Sequence, residues 1–137
     1  MTPAEIVAAA RSAIGTPFVH QGRVTGVGLD CAGLVVHVAR TIGAEYVDAT
    51  GYARHPSQGL IEAALAGQPC LKRVALGERQ PGDVLLMRFA GDPQHLGVFS
   101  GDSVIHSYST VGKVCEHRLD EAWERRIVQV YRFRGGA

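Results

Sequence analysis

The chain has 137 residues, 46% apolar and 20% charged, and its 14 basic and 13 acidic side chains leave a net charge of +1. That length fits one domain with one core, and a charge so balanced gives no bulk attraction for nucleic acid. The longest apolar run, Gly33 to Ala39, is interrupted by His37 and is too short to span a bilayer.

Thr2-Pro3-Ala4-Glu5 forms a capping box with proline at the first helical position. It predicts a first helix running to about Ile14, with Ile6, Ala9, Ala10 and Ala13 on one face and Gly15 as its stop. Residues 15–28 contain Gly15, Pro17, Gly22, Gly26 and Gly28 and read as a loop. Asp30 is a good N-cap for a second helix from Cys31 to Ile42, with Leu34, Val35, Val38 and Ile42 as its apolar face and Gly43 after it. A third helix is expected from about Gly59 to Leu65, capped by Ser57.

Beyond it the hydrophobic period falls to two. Strands are expected at Leu71 to Val74, Asp83 to Phe89, Leu96 to Ser100, Val104 to Tyr108, Val114 to Leu119 and Ile127 to Phe133. A short helical turn is expected from Asp120 to Arg125. Helices first and antiparallel strands after them predict an α+β fold in one domain, residues 1–137.

Three cysteines, odd in number and widely spaced, suggest no disulfide framework and leave at least one free thiol. Cys31 falls in the first turn of the second helix, where unpaired N–H groups and the helix dipole favour a thiolate. Its flanks, Asp30 before it and Ala32-Gly33 after it, combine a cap with an open backbone. His95 begins a short strand next to Gly97, and a strand glycine often marks a close approach. That approach could be the end of the Cys31 helix, which would give a thiol–imidazole couple. The turn at Gly101-Asp102 should fold the next strand back and bring His106 beside His95 as an orienting group.

In order along the chain stand Asp30-Cys31-Ala32-Gly33, Pro81-Gly82-Asp83-Val84, His95-Leu96-Gly97-Val98 and Ile105-His106-Ser107. This set closely resembles the NlpC/P60 family of papain-like cell-wall cysteine peptidases, and it covers the chain from Gly15 to the last strand. The resemblance implies a papain-like domain with N-terminal helices packed on an antiparallel sheet or half-barrel. It implies Cys31 as nucleophile, His95 as base and His106 as the third, orienting residue. It implies hydrolysis of peptidoglycan stem peptides, commonly at the bond between D-γ-glutamyl and the diamino acid, with no cofactor. No Cys-x-x-Cys or His-x-x-x-His spacing points to zinc either.

The chain departs from the family pattern in three places. Ala32 replaces the usual serine. Phe18 stands where the family often has a tyrosine, so His20 or Gln21 is left to fill a polar role in the substrate-binding loop. The run Phe18-Val19-His20-Gln21-Gly22-Arg23 resembles the branch of the family encoded with phage and gene-transfer-agent tails. No secretion signal is evident in the first five residues, so the chain is expected to be either a mature fragment or a protein made in the cytoplasm without its own export signal. For the latter, delivery by a tail to the cell wall, with tail hub or tip proteins as partners, is the expectation. Arg23 and Arg54 are candidate cations for stem carboxylates, and Asp30 and Phe18 candidate substrate contacts. Cys70 and Cys115 read as packing or surface thiols, and Trp123 as a sheet-covering aromatic. Two other readings stay open: a tail-tip structural protein that keeps the fold, and a thiol-dependent amidase or acyltransferase on another substrate.

Overall fold

The computed structural model describes residues 1–49, 51–52, 59–91 and 93–135. Its elements in chain order are α1 (Pro3–Arg11), β1 (Arg23–Val24), β2 (Gly28–Leu29), α2 (Cys31–Thr41), α3 (Leu60–Ala66), β3 (Leu71–Val74), a 3-10 turn (Leu76–Glu78), β4 (Val84–Met87), β5 (His95–Phe99), β6 (Ser103–Tyr108), β7 (Lys113–Arg118), α4 (Glu121–Glu124) and β8 (Ile127–Phe133). Six strands form one antiparallel sheet in the order β3-β8-β4-β5-β6-β7. This is the α+β architecture expected, with the N-terminal helices laid on the sheet. No helix among the described residues is long and apolar enough to cross a membrane.

The sheet is buried on both faces. Ile6, Ala9 and Ala10 of α1 and Leu34, Val35 and Val38 of α2 pack with Val84, Leu86, Leu96, Val98 and Ile105. On the opposite face lie Leu85, Met87, Phe99, Val104, Ile127 and Val130, with Trp123 packed against them. Alternate residues of β4 therefore enter different cores, so the whole strand Val84–Met87 reads as one apolar run. Each such leucine or valine contributes about 1.5–3 kcal/mol on burial.

Several boundaries differ from the sequence expectation for local reasons. Helix α1 stops at Arg11 and not near Ile14. The Ser12 hydroxyl donates to the Ala9 carbonyl at 2.6 Å, and the N–H groups of Ala13 and Ile14 reach back only three residues. A hydroxyl that competes for a helix carbonyl tightens the last turn in this way. Strand β4 does not include Asp83. That carboxylate accepts the Gln80 N–H at 2.8 Å and pairs with Nε and Nη2 of Arg132, both at 2.9 Å, so it builds the preceding turn and ties it to β8. At the other end of β4 the register with β8 shifts between Leu86 and Met87, as at a β-bulge. Helix α3 begins after Gly59, whose φ is +73°; its expected cap, Ser57, lies outside the described residues.

The stretch read as a loop contains a small hairpin, β1 with β2. It lies against the start of α2 through glycines. A Cβ on Gly33 would stand 2.2 Å from the Gly22 carbonyl oxygen, and one on Gly22 would stand 2.5 Å from that of Gly28. Backbone cannot yield as a flexible side chain can. Gly33→Ala is therefore expected to lower stability by about 1–3 kcal/mol, read from the urea midpoint. A midpoint equal to the parent's would contradict this packing.

Candidate active site

Cys31 is the first residue of α2, and its N-cap is the centre of a buried polar cluster. Asp30 Oδ1 accepts the Gly33 N–H at 2.8 Å and Nη1 of Arg23 at 3.0 Å. Its Oδ2 accepts the Gln21 N–H at 2.8 Å and the Tyr52 hydroxyl. Arg23 in turn reaches Asp48 through Nε and the Tyr52 hydroxyl through Nη2 at 2.7 Å. One carboxylate thus ties together the start of α2, the β1–β2 hairpin and Tyr52. Charge-assisted bonds of this kind are the strong ones.

A cavity of about 640 Å³ opens beside this cluster, with Cys31 and His95 both in its wall. The backbone amides of Leu96, next to His95, of Ala32 and of Cys31 itself pull the thiol down. These donors favour a thiolate. Burial and the charge of Asp30 oppose them and win, and the thiol is pushed up to about 11. The helix end was expected to lower it; the N-cap carboxylate and the crowded surroundings reverse the sign. The thiolate fraction at neutral pH is then below that of an ordinary cysteine. Alkylation of Cys31 by iodoacetamide, followed by peptide mass mapping, is expected to keep accelerating through the alkaline range toward about pH 11. A rate that levels off near neutrality would contradict this.

The hairpin of β5 and β6 forms as the turn predicted, with Val98 opposite Ile105. It brings Nε2 of His95 to 2.6 Å from Nδ1 of His106. Gly97 does make a close approach, but not to the helix: a Cβ there would meet Val104, Met87 and His106. The missing side chain gives room to the histidine pair. Burial drives His95 down to about 3, helped by the nearby His117, and drives His106 down to about 2, helped by both neighbouring rings. Both imidazoles are therefore neutral around pH 7. Phe89 and Tyr108 cover the pair, and the Tyr108 ring lies within 13° of parallel to that of His106.

The other sequence-predicted residues fall in two groups. Phe18, His20, Arg23 and Asp30 line the cavity with Cys31 and His95. His106 sits behind His95 and is fully buried. Gln21, at φ +60°, bonds the Tyr52 carbonyl at 3.0 Å and so holds the loop rather than lining the cavity. Arg23 is engaged by two carboxylates, and Arg54 lies outside the described residues. Cys31, Cys70 and Cys115 are all free, and Cys70 is part of the helix-side core. Among the described residues no group of three or more His, Cys, Asp or Glu side chains could hold a metal ion.

Three lining or supporting residues escaped the sequence reading. Tyr52 brings its hydroxyl to Asp30 and Arg23, from a segment with no motif to announce it. Arg126 lines the cavity with its guanidinium 4.4 Å from the Trp123 ring centroid and 5.1 Å from that of Phe89. His117 bonds His106 on its far side at 2.9 Å. Strand alternation could have found it: the pairing of His106 with Cys115 places His117 on the same face, two residues on.

This geometry invites comparison with known proteins. The NlpC/P60 family profile matches residues 15–132. Over 107 residues, 78% of the chain, it is 37% identical to proteins of Mycobacterium tuberculosis and Mycobacterium bovis that are each named a probable endopeptidase. The match spans 23% of their length. Among solved structures it resembles the NlpC/p60 domain of the peptidoglycan hydrolase SagA, with a TM-score of 0.65 and 22% identity over 95% of this chain and 97% of that one. It also resembles an NlpC/P60 family protein from Bacillus cereus, with a TM-score of 0.71 and 17% identity over 97% of this chain and 40% of that one. RipB of Mycobacterium tuberculosis, a peptidoglycan hydrolase, gives a TM-score of 0.66 and 20% identity over 95% and 63%. Those structural likenesses establish the fold, and the profile, matching nearly the whole chain around Cys31 and His95, makes the chain a member of the NlpC/P60 family.

Proposed function

We propose that residues 1–137 form one cysteine peptidase domain that hydrolyses peptidoglycan stem peptides, with Cys31 as nucleophile, His95 as base and His106 orienting it. The observation that carries this reading is the cavity wall that holds Cys31 at a helix start together with the buried His95–His106 pair. The endopeptidase and hydrolase names of the relatives support the substrate class.

The resting site holds a neutral thiol and a neutral imidazole. As the sulfur bonds to the amide carbonyl carbon, its proton passes to His95 and the carbonyl electrons move onto oxygen. The N–H groups gathered at the start of α2 stabilise that oxyanion. Collapse breaks the C–N bond, and the leaving amine takes the proton from His95. A water, deprotonated by His95, then attacks the thioester and restores the thiol. Phe18, His20 and the cluster around Asp30 shape the acyl side of the cavity, and Arg126 offers a cation to a carboxylate on the substrate.

The bond cleaved is inferred to be D-γ-glutamyl–diamino acid, in keeping with the family resemblance. Digestion of purified peptidoglycan, with the released fragments weighed, tests this. Stem peptides cut after the glutamyl residue are the expected product. Release of whole stems from glycan would favour an amidase, and no release would favour a structural role. The likeness of the Phe18–Arg23 loop to tail-encoded relatives supports delivery by a phage-like tail. Mass spectrometry of purified tail particles tests that point, and its consistent absence from them would refute it.

A further inference from the structure

The histidine pair is part of a longer chain. Nε2 of His95 lies 2.6 Å from Nδ1 of His106, Nε2 of His106 lies 2.9 Å from Nε2 of His117, and Nδ1 of His117 lies 3.0 Å from the carbonyl oxygen of Arg118. A carbonyl can only accept, so Nδ1 of His117 carries the proton. In the neutral ring Nε2 of His117 is then an acceptor. His106 must donate to it from Nε2, which leaves Nδ1 of His106 as acceptor. His95 must donate from Nε2, and its Nδ1 keeps a lone pair. The opposite alignment would turn a lone pair of His117 against the carbonyl and put a proton on Nδ1 of His95.

We propose that His117 is a positioning residue of this site: anchored by the Arg118 carbonyl, it sets the tautomers of His106 and His95 so that Nδ1 of His95 is free to take the Cys31 proton. This rests on the reading of Cys31 and His95 as nucleophile and base. It gives His106 a defined polarity, which a third residue needs in order to orient a base. Without an acceptor beyond it, His106 can flip its proton to Nδ1. That proton would face the one on Nε2 of His95 and drive the latter ring to the wrong tautomer. The setting suits the role. His106 is fully buried, and Trp123 packs its ring against both His106 and His117, at centroid distances of 5.2 and 4.7 Å.

Imidazole ¹⁵N spectra of the full chain at neutral pH test the alignment directly. The expected result is Nε2–H for His95 and His106 and Nδ1–H for His117; Nδ1–H on His95 would overturn the proposal. Two variants test the consequence. His117→Phe keeps an aromatic against Trp123 but removes the acceptor, whereas His117→Gln restores an acceptor near the position of Nε2. Relative to the parent, His117→Phe is expected to lose about ten- to a hundredfold in kcat, with KM changed less than about twofold. Alkylation of Cys31 near neutral pH should slow in the same variant. His117→Gln should stay within about threefold of the parent on both readouts. A phenylalanine variant that folds and matches the parent, or a glutamine variant as impaired as the phenylalanine one, would overturn the proposal. Should the parent release nothing from peptidoglycan while the tautomers and alkylation rates follow this pattern, the role of His117 stands and the substrate reading alone fails.

Discussion

Replacing Cys31 with alanine is expected to remove hydrolysis, a loss of roughly 10⁴-fold or more, while the fold survives. Among the described residues Cys31 is the one thiol that lines the cavity with His95, so no other cysteine can take its place. Cys70 lies in the helix-side core, and Cys115, opposite His106 on β7, is not in the cavity wall. The change is mild for structure. Alanine is the best helix former, and the cap bond from Gly33 to Asp30 does not involve the Cys31 side chain. Stability should stay within about 1 kcal/mol of the parent, as for other small changes outside a tight core. Fragment release above about a hundredth of the parent rate, from a variant with a parental melting profile, would end the nucleophile assignment.

Acidification is the second large effect. An unfolded histidine titrates near 6.5, whereas His95 and His106 are held neutral in the fold down to about 3 and about 2. Below about pH 6.5 the unfolded chain therefore binds protons that the folded chain refuses, and stability falls as pH drops. It is fully present above that value and is lost progressively down to the folded-state values. At pH 5 each ring costs about 2 kcal/mol, or about 4 kcal/mol for the pair. Glu116, held below the usual carboxylate range by its bonds to Arg11, is still ionised there and loses its share only at lower pH. Urea unfolding at about pH 7.5 and pH 5 measures the difference. Equal stabilities at the two values would mean that the pair is charged, or hydrated, in the fold. His106→Gln should remove about half of the dependence.

Much of the site was legible because its signals are local. The N-cap of α2 follows from Asp30 and Gly33 alone, and the turn at Gly101-Asp102 dictates that β5 and β6 fold together and bring His95 to His106. What was not legible depends on competition or distance. The first helix lost its last turn to one hydroxyl, that of Ser12, a contest that periodicity does not register. The thiol moved opposite to the helix-dipole expectation because burial penalises the thiolate and the cap that starts the helix also sets a carboxylate near it. Tyr52 meets Asp30 across 22 residues of sequence, and nothing in its own neighbourhood marks it. Gly97 was read correctly as a close approach, but the approaching groups were side chains from its own sheet.

The last strand of the sheet along the chain is not at its edge. β8 enters between β3 and β4, so β3 has no partner until residues 127–133 are available. On a ribosome, the meander from β4 to β7 can pair one turn at a time as it emerges, because its closures are short. β3, made earlier, must wait with its pairing groups open. The β3–β8–β4 side of the sheet therefore closes in one late step, long after Cys31, His95 and His106 have been synthesised.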